Sequence, residues 1–163
     1  MAAGLLLLVC VGAVLLSVDA QHSYDELSDS FKKGVDLALD QLNSHSAVKN
    51  HFLFLRSVDK IEHDVGYGGL FFYHHFYLKP TKCTKGTTHS DPRICPFRND
   101  RPLMDCAVCY KVYSGNIEAE PSPYVHCIQK PRLTQEMKDT RMQNWRKMTY
   151  ATGAATIMAL STG

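Results

Sequence analysis

The chain has 163 residues, of which 45% are hydrophobic and 21% charged, and its formal net charge is +2. This length suits one domain with a single hydrophobic core and is too short for two. The net charge is small, and the sequence has no long Lys/Arg block and no basic run interleaved with aromatic residues. No nucleic-acid partner is therefore expected. Cell-surface polyanions remain an option that the sequence does not support.

The first twenty residues have the pattern of a secretory signal peptide. Residues 5–16 form an apolar run that is too short to span a bilayer, and Val18-Asp19-Ala20 has small or branched residues where a signal peptidase reads. The alternative, a buried N-terminal helix, has no polar face or cap to support it. We therefore expect residues 1–20 to be cleaved and the product to be secreted to the extracellular space with no membrane anchor.

Cleavage would remove Cys10 and Asp19, which leaves five of the six cysteines and raises the formal charge from +2 to +3. An odd number of cysteines in an oxidising compartment predicts two disulfides and one leftover thiol, unless the odd cysteine pairs with another chain.

A helix is predicted to follow the signal segment. Ser23 and Glu26 form a capping-box pattern that should start it, and the turn-forming residues near Asn43 should end it. Gly34 costs about 1 kcal/mol relative to Ala inside a helix, or it marks a close approach to a sheet. Apolar residues at spacings of three and four form one stripe, which we interpret as facing the core. The stripe consists of Leu27, Phe31, Val35, Ala38, Leu39 and Leu42.

Two strands should come next, joined by a glycine-rich turn. Residues 51–63 have strand character, and residues 70–79 are the most β-like run in the chain. Pro80 is expected to end that second strand because proline cannot donate to the ladder. Alternate residues of a strand share a face. The set expected to face the helix is Leu70, Phe72, His74, Phe76 and Leu78.

Two motifs that could be mistaken for metal or redox sites are better explained by strands. His74 and His75 are adjacent and point to opposite faces, so they cannot bind one metal together. Cys106-Ala107-Val108-Cys109 lies in a predicted strand at residues 103–113, whereas a thioredoxin-like motif would begin a helix and a zinc knuckle would need a second pair. We therefore predict no metal, no cofactor and no enzyme, since no nucleophile–base or carboxylate pair has an interpretable spacing.

The cysteines that remain are interleaved with the predicted strands. Cys83 and Cys95 flank a loop rich in Gly, Thr, Asp and Pro, and a bridge across that loop is the natural pairing. Cys127 lies in a last predicted strand at residues 124–130. In an antiparallel hairpin it can reach Cys106 or Cys109, which lie on opposite faces, and the sequence does not choose between them.

The end of the chain, residues 131–163, divides into two parts. It is polar and basic up to Lys147, and no side chain from Met148 onward is charged. Such a segment is most often a poorly ordered end, and it can also serve as a recognition peptide. Its sizeable side chains beyond Met148 are Tyr150, Ile157, Met158 and Leu160.

This order of elements resembles the cystatin/cathelicidin fold, in which a four-to-five-stranded antiparallel sheet wraps one N-terminal helix. Within that fold, residues 26–127 resemble the chemerin family. The matching segments are residues 31–39, Gly69-Leu70-Phe71, residues 106–111 and Tyr124-Val125-His126-Cys127. The resemblance implies an α+β, disulfide-stapled domain at residues 21–130, followed by the basic segment and tail at 131–163.

The resemblance also implies a function. Chemerin-like proteins are secreted precursors whose tail is trimmed by extracellular proteases. The exposed end then activates a G-protein-coupled chemokine-like receptor, in chemotaxis, inflammation and the regulation and differentiation of adipocytes. Carried over, the family implies bridges Cys83–Cys95 and Cys106–Cys127 and leaves Cys109 for a partner in the tail. Because no cysteine follows Cys127, we expect Cys109 to be unpaired and the protein to be a monomer unless Cys109 cross-links. The implied receptor-binding tail contains Tyr150, Ile157, Met158, Leu160 and Ser161.

The chain departs from the family pattern in two places, and an alternative function stays open. No cysteine follows Cys127, so the family's third bridge is absent, and the tail has one aromatic residue and no proline. The alternative is a non-signalling cystatin-fold protein, either a weak cysteine-protease inhibitor or a cathelicidin-like host-defence protein. The inhibitory Gln-x-Val-x-Gly and Pro-Trp motifs are absent, and Trp145 lies outside the predicted sheet. The basic residues 130–147 are the only stretch suited to a membrane-active peptide.

Overall fold

The computed structural model describes residues 23–87 and 91–150 of the chain. They form an α+β structure in which a five-stranded antiparallel sheet lies between two helices. The helices are α1 (Asp29–Ser44) and α2 (Gln135–Tyr150). The strands are β1 (Asn50–Asp64), β2 (Gly69–Thr84), β3 (Met104–Tyr113), β4 (Asn116–Ile117) and β5 (Tyr124–Gln129). The expected signal peptide at residues 1–20 lies outside the described residues.

The strand order places β2 and β3 in the middle of the sheet. β1 pairs with β2, and the part of β2 from Gly69 to Leu78 pairs with all of β3. β4 and β5 both pair with β3, β4 at the end near Tyr113 and β5 along the part from Met104 to Cys109. The β1–β2 turn and the β3–β4 turn therefore lie at one end of the sheet, which we call the hairpin end. The opposite end, where β2 finishes and β3 begins, carries the Cys83–Cys95 disulfide, and we call it the disulfide end.

The predicted start of the first helix is wrong by one and a half turns. Continuous α-helix begins at Asp29 with Ser28 as its N-cap, while residues 23–25 form a separate helical turn. That turn folds back on α1, because the Tyr24 hydroxyl donates to the Asp36 carboxylate at 2.7 Å. Leu27 is buried behind it. The residues that carry the capping-box pattern therefore belong to this separate turn, and the continuous helix begins after it.

The prediction that Pro80 ends the second strand is also wrong. β2 continues to Thr84, and the register between β1 and β2 shifts next to the Phe52–Pro80 pair. The carbonyl of Pro80 accepts a hydrogen bond from the Arg98 amide at 2.8 Å, from the loop that follows the disulfide. A proline is tolerated here because a shifted register does not require an amide donor at that position.

One face of the sheet packs on α1, as predicted. Phe72, Phe76 and Leu78 of β2 are buried in one cluster with residues of α1 such as Phe31 and Val35. Burying a side chain of this kind contributes roughly 1.5–3 kcal/mol relative to leaving it exposed. His74 lies on the same face and is fully buried between Phe31 and Phe54, with its Nε2 within 2.8 Å of the Ser57 hydroxyl.

Gly34 marks the closest contact between α1 and the sheet. A Cβ atom at this position would lie 2.5 Å from the ring and hydroxyl of Tyr110. The Tyr110 hydroxyl donates to the carbonyl of Ser30 at 2.8 Å, which holds the ring against the helix. The second reading offered for Gly34, a close approach to the sheet, is therefore the correct one.

The other face of the sheet is covered by α2, a contact that we did not predict. Trp145 and Met148 of α2 are buried with Phe71, Tyr73 and Cys109 of the sheet. The helix belongs to residues 131–163, the segment expected to follow the domain. Neither helix is long and apolar enough to cross a membrane, within the residues that the structure describes.

Candidate functional site

The contact between α2 and the sheet centres on one buried arginine. Arg141 is 1% exposed, and its Nη1 donates to the Asp105 carboxylate of β3 at 2.5 Å. Its Nη2 donates to the Asp105 carbonyl at 3.0 Å, and its Nε donates to Nδ1 of His126 in β5 at 2.8 Å. One guanidinium group thus connects α2 to two neighbouring strands. We call this group the clamp, and it consists of Arg141, Asp105, His126 and His75.

His75 completes the clamp from the second strand. Its Nε2 lies 2.9 Å and 3.0 Å from the two carboxylate oxygens of Asp105. Asp105 therefore lies between an arginine from α2 and a histidine from β2. A buried carboxylate is costly unless it is paired, and here both oxygens and the backbone carbonyl have donors.

The environment of the clamp changes the proton affinities of its members. Burial alone would raise the pKa of Asp105, but the hydrogen bonds from His75 and Arg141 outweigh it and leave that pKa below its usual value. Burial, together with the positive charge of Arg141, lowers the pKa of His126. Both shifts favour the forms that the hydrogen bonds need, a carboxylate at Asp105 and a neutral Nδ1 acceptor at His126.

Cys109, the leftover thiol of the sequence analysis, is free and lies beneath α2. It is fully buried, and burial raises the pKa of its thiol to about 12. A thiol in such surroundings is a poor nucleophile because it is almost never a thiolate at neutral pH. Its surroundings are those of a small core residue.

The four other cysteines form two disulfides. Cys83 is bonded to Cys95 across the loop at the disulfide end, with their Cα atoms 5.8 Å apart. Cys106 is bonded to Cys127, its direct partner in the β3–β5 register, with a Cα–Cα distance of 4.1 Å. Because Cys106 and Cys109 point to opposite faces, the α1 face holds the disulfide and the α2 face holds the thiol.

α2 runs from the disulfide end towards the hairpin end. Arg141 contacts Asp105, while Trp145 meets Tyr73 with ring centroids 6.0 Å apart, and Tyr73 pairs with Cys109 further along the sheet. The helix ends at Tyr150, which is 63% exposed. Tyr150 is the one predicted tail residue that the structure describes. The others, Ile157, Met158, Leu160 and Ser161, lie outside the described residues.

A cavity lies beside the clamp, between β5 and α2. Its volume is about 310 Å³. His126 contributes to both the clamp and the cavity wall. The cavity is lined by Tyr124, His126, Thr134, Glu136, Met137 and Thr140. Across residues 23–87 and 91–150, no group of three His, Cys, Asp or Glu side chains is placed to hold a metal ion.

The clamp is not among the predicted sites, although two patterns in the sequence indicate it. β2 is apolar on both faces, with Phe71 and Tyr73 opposite the predicted core face, and a strand of that kind needs a cover on each side. Arg141, Trp145 and Met148 recur at spacings of four and three, which places them on one helical face. Charged residues between these three positions hide the stripe in a hydrophobicity pattern.

Comparison with known proteins does not place the chain in a family. No protein-family model matches the sequence, and a search of curated proteins finds no match.

Proposed function

We propose that this chain is a secreted precursor of the chemerin (retinoic acid receptor responder protein 2) kind. A cystatin-like domain presents a C-terminal peptide, which is trimmed by proteases and then binds a G-protein-coupled chemokine-like receptor. The observation that carries the proposal is the clamp. It fixes α2 on the sheet through Arg141, so the residues that follow Tyr150 start from a rigid platform.

The fold and the cysteines support this proposal. An antiparallel sheet packs on α1, and the pairs Cys83–Cys95 and Cys106–Cys127 are those that the resemblance implies. Disulfides persist in oxidising compartments, so they fit an extracellular protein.

The proposed maturation has a restricted protease specificity. No Lys or Arg follows Lys147, so a trypsin-like protease has no site within the tail. Elastase-like cleavage after Ala or Ile is the activation step that we expect. Removing a few terminal residues would leave the clamp intact, because Arg141 lies nine residues before Tyr150, where α2 ends.

A receptor assay tests the proposal. Cells that express a chemokine-like receptor are exposed to the full-length secreted protein, to forms ending between Thr156 and Ser161, and to a form ending at Tyr150. We expect one or more of the intermediate forms to activate the receptor and the form ending at Tyr150 to be silent. The free peptide 151–161 should be weaker than the same residues on the domain, because the domain pre-organises their start. Silence from every form would refute the proposal.

A second candidate, cysteine-protease inhibition, is favoured by the hairpin end. Tyr67 is fully exposed at the tip of the β1–β2 turn, in a left-handed conformation with φ of 53°. The β3–β4 turn lies beside it, since a Cβ on Gly68 would be 3.7 Å from the Tyr113 ring. Two adjacent hairpin tips with an exposed aromatic side chain can enter an extended protease cleft. Inhibition of a papain-like enzyme that is lost in Tyr67→Gly would support this candidate, and no inhibition at micromolar concentration would reject it.

A further inference from the structure

The fold collects positive charge at the disulfide end of the sheet. The segments that meet there are the start of β1, the end of β2, the loop to β3 and the turn after β5. The loop carries two carboxylates, and each is bonded to an arginine of its own loop, Asp91 to Arg93 and Asp100 to Arg98. The cations of this end that have no carboxylate partner among the described residues are Lys49, Arg56, Lys79, Lys82, Lys85, Arg101, Lys130 and Arg132.

Three of these cations are fixed over aromatic rings on the α2 side of the sheet, beyond the part that α2 covers. The Arg56 guanidinium lies 5.0 Å from the centre of the Tyr77 ring, and the Lys130 ammonium lies 4.8 Å from it. The Lys79 ammonium lies 5.4 Å from the centre of the Phe97 ring. These contacts orient the cations without neutralising them, since a ring carries no net charge.

A pocket on the α1 side continues the positive surface. It has a volume of about 290 Å³, with Phe52, Pro80 and Met104 in its wall. Lys49, Arg98 and Arg101 also line it. The positive surface therefore extends around the disulfide end from one face of the sheet to the other.

The hairpin end carries the opposite charge. The carboxylates of its strands and turns are Asp59, Glu62, Asp64, Glu118 and Glu120, against the strand cations Lys60 and Lys111 and against Lys33 of α1, which donates to the Gly115 carbonyl. The two ends of the sheet thus differ in sign, although the formal charge of the chain is only +2. Such a separation of charge steers a charged partner to one end of the molecule.

We propose that the disulfide end binds a linear, densely sulfated polysaccharide of the extracellular matrix or cell surface. A chain of closely spaced anions can contact the cations on both faces at once, and each contact releases counterions, as for other polyanions. This surface lies at the opposite end from Tyr150. The polysaccharide and a partner of the tail can therefore be bound together.

The structure favours a polysaccharide over the two other common polyanionic partners. Single-stranded nucleic acid binds through bases stacked on exposed aromatic rings, whereas Tyr77 is only 9% exposed. A membrane surface is bound with inserted apolar side chains in addition to charge. Among the exposed large apolar residues of the described ranges, only Ile94 lies at this end, and Val58, Tyr67, Tyr113 and Tyr150 lie elsewhere.

Binding to heparin and to size-defined heparin fragments tests the proposal. The secreted, disulfide-bonded protein should bind immobilised heparin at about 0.15 M salt, with an affinity that falls steeply as salt rises. Two competitors are used. One is single-stranded DNA with the same number of negative charges as the heparin fragment, and the other is vesicles that contain phosphatidylserine. We expect both to compete at least about tenfold less well than heparin.

Two matched variants remove three positive charges each. The test variant is Arg56→Gln, Lys79→Gln and Lys130→Gln, at the disulfide end. The control variant is Lys60→Gln, Lys111→Gln and Lys147→Gln, away from it. We expect the test variant to lose at least about tenfold in heparin affinity and to show a shallower salt dependence, while the control loses less than about twofold. Circular dichroism and thermal unfolding check that both variants are folded.

A second test variant covers the case in which the loss of ring contacts unfolds the first. Lys82→Gln with Arg101→Gln removes two exposed cations that contact no ring, and it should lower the affinity by several-fold. The proposal is overturned if the wild-type protein does not bind heparin at about 0.15 M salt, or if the folded test and control variants bind equally well. Equal competition by DNA or by vesicles would overturn the choice of a polysaccharide. None of these results depends on receptor activation. The function proposed for the tail can therefore be right or wrong whatever the outcome of the heparin experiments.

Discussion

The guanidinium group of Arg141 donates to the carboxylate of Asp105 at 2.5 Å, and each side chain is only 2% exposed. The two residues are 36 positions apart in sequence and belong to α2 and β3. Without Asp105 the Arg141 guanidinium would be buried with no carboxylate partner, and without Arg141 the Asp105 carboxylate would keep only His75 as a side-chain donor. The docking of α2 therefore depends on both residues being present.

Arg141→Met should destabilise the protein by about 3–5 kcal/mol, because it leaves the Asp105 carboxylate buried with His75 as its one remaining side-chain donor. Arg146→Met, on the exposed side of the same helix, should change stability by less than about 0.5 kcal/mol. Urea unfolding measures both. Adding Asp105→Asn to Arg141→Met should recover part of the loss, and additive losses in the double variant would contradict the clamp.

Gly34→Ala should lower the free energy of unfolding, although alanine is the better helix former by about 1 kcal/mol. The added methyl group meets the buried Tyr110 ring, and overpacking of this kind costs about 1–3 kcal/mol. Thermal unfolding of Gly34→Ala, Tyr110→Phe and the double variant separates the two effects. We expect the double variant to be more stable than the sum of the single losses predicts, because the phenylalanine ring lacks the hydroxyl that meets the methyl group. A stabilised Gly34→Ala would show that the contact is not tight.

Acid should destabilise the protein through His74. Burial, with smaller effects from Lys60 and His75, lowers its pKa from 6.5 to about 3, and its Nδ1 has no hydrogen-bond partner among the described residues. The unfolded chain therefore binds a proton between these two pH values while the folded protein does not. The contribution of neutral His74 to the free energy of unfolding is fully present above pH 6.5. It is lost as pH decreases below that value, by about 1.4 kcal/mol per pH unit.

Urea unfolding between pH 7.5 and pH 4.5 measures this slope. His74→Phe cannot be protonated and should show a shallower slope over the same range. His126 has the same sign of shift, so a residual slope is expected in the variant. Equal slopes in the wild-type protein and His74→Phe would contradict the assignment.

Cys109 should resist alkylation in the folded protein. Its thiol is covered by Trp145 and Met148, and its raised pKa leaves almost no thiolate at pH 8. Intact mass after treatment with iodoacetamide should show no adduct under native conditions and one adduct in denaturant without reductant. Trp145→Ala should speed the native reaction by opening the cover. Rapid labelling of the native wild-type protein, or a disulfide-linked dimer, would show that Cys109 is accessible.

The existence of α1, β1, β2, β3 and β5 could be predicted from the residue pattern, although the start of α1 and the end of β2 could not. The stripe containing Phe31 and Val35 has helical spacing, and the run around Phe72 and Phe76 alternates as a half-buried strand does. Those periodicities come from the local geometry of helices and strands, so they can be recognised without knowing which element packs against them. Helix α2 is different. Its stripe is interrupted by charged residues, and its central contact is an arginine, which a hydrophobicity pattern counts as surface.

The cationic surface at the disulfide end could not be predicted from the sequence, for a different reason. Lys49, Arg56, Lys79, Arg101 and Lys130 are far apart in sequence, and no window of the chain contains a basic block. They meet only because the antiparallel strands return the chain to the same end. A charged surface formed by distant residues can be recognised only once the strand topology is known. The Cys83–Cys95 disulfide, in contrast, could be predicted from the composition of the loop between the two cysteines.

The register shifts along β1 bear on how the protein behaves at high concentration. β1 is the outer strand of the described sheet, is 15 residues long and has shifts at three places. A long, regular outer strand is a template on which a second chain can add its own strand and begin an aggregate. The shifts break that regularity, and Arg56, Asp59 and Lys60 place charges along the strand. The irregularity of β1 therefore protects against fibre formation, and straightening it would expose the protein to that risk.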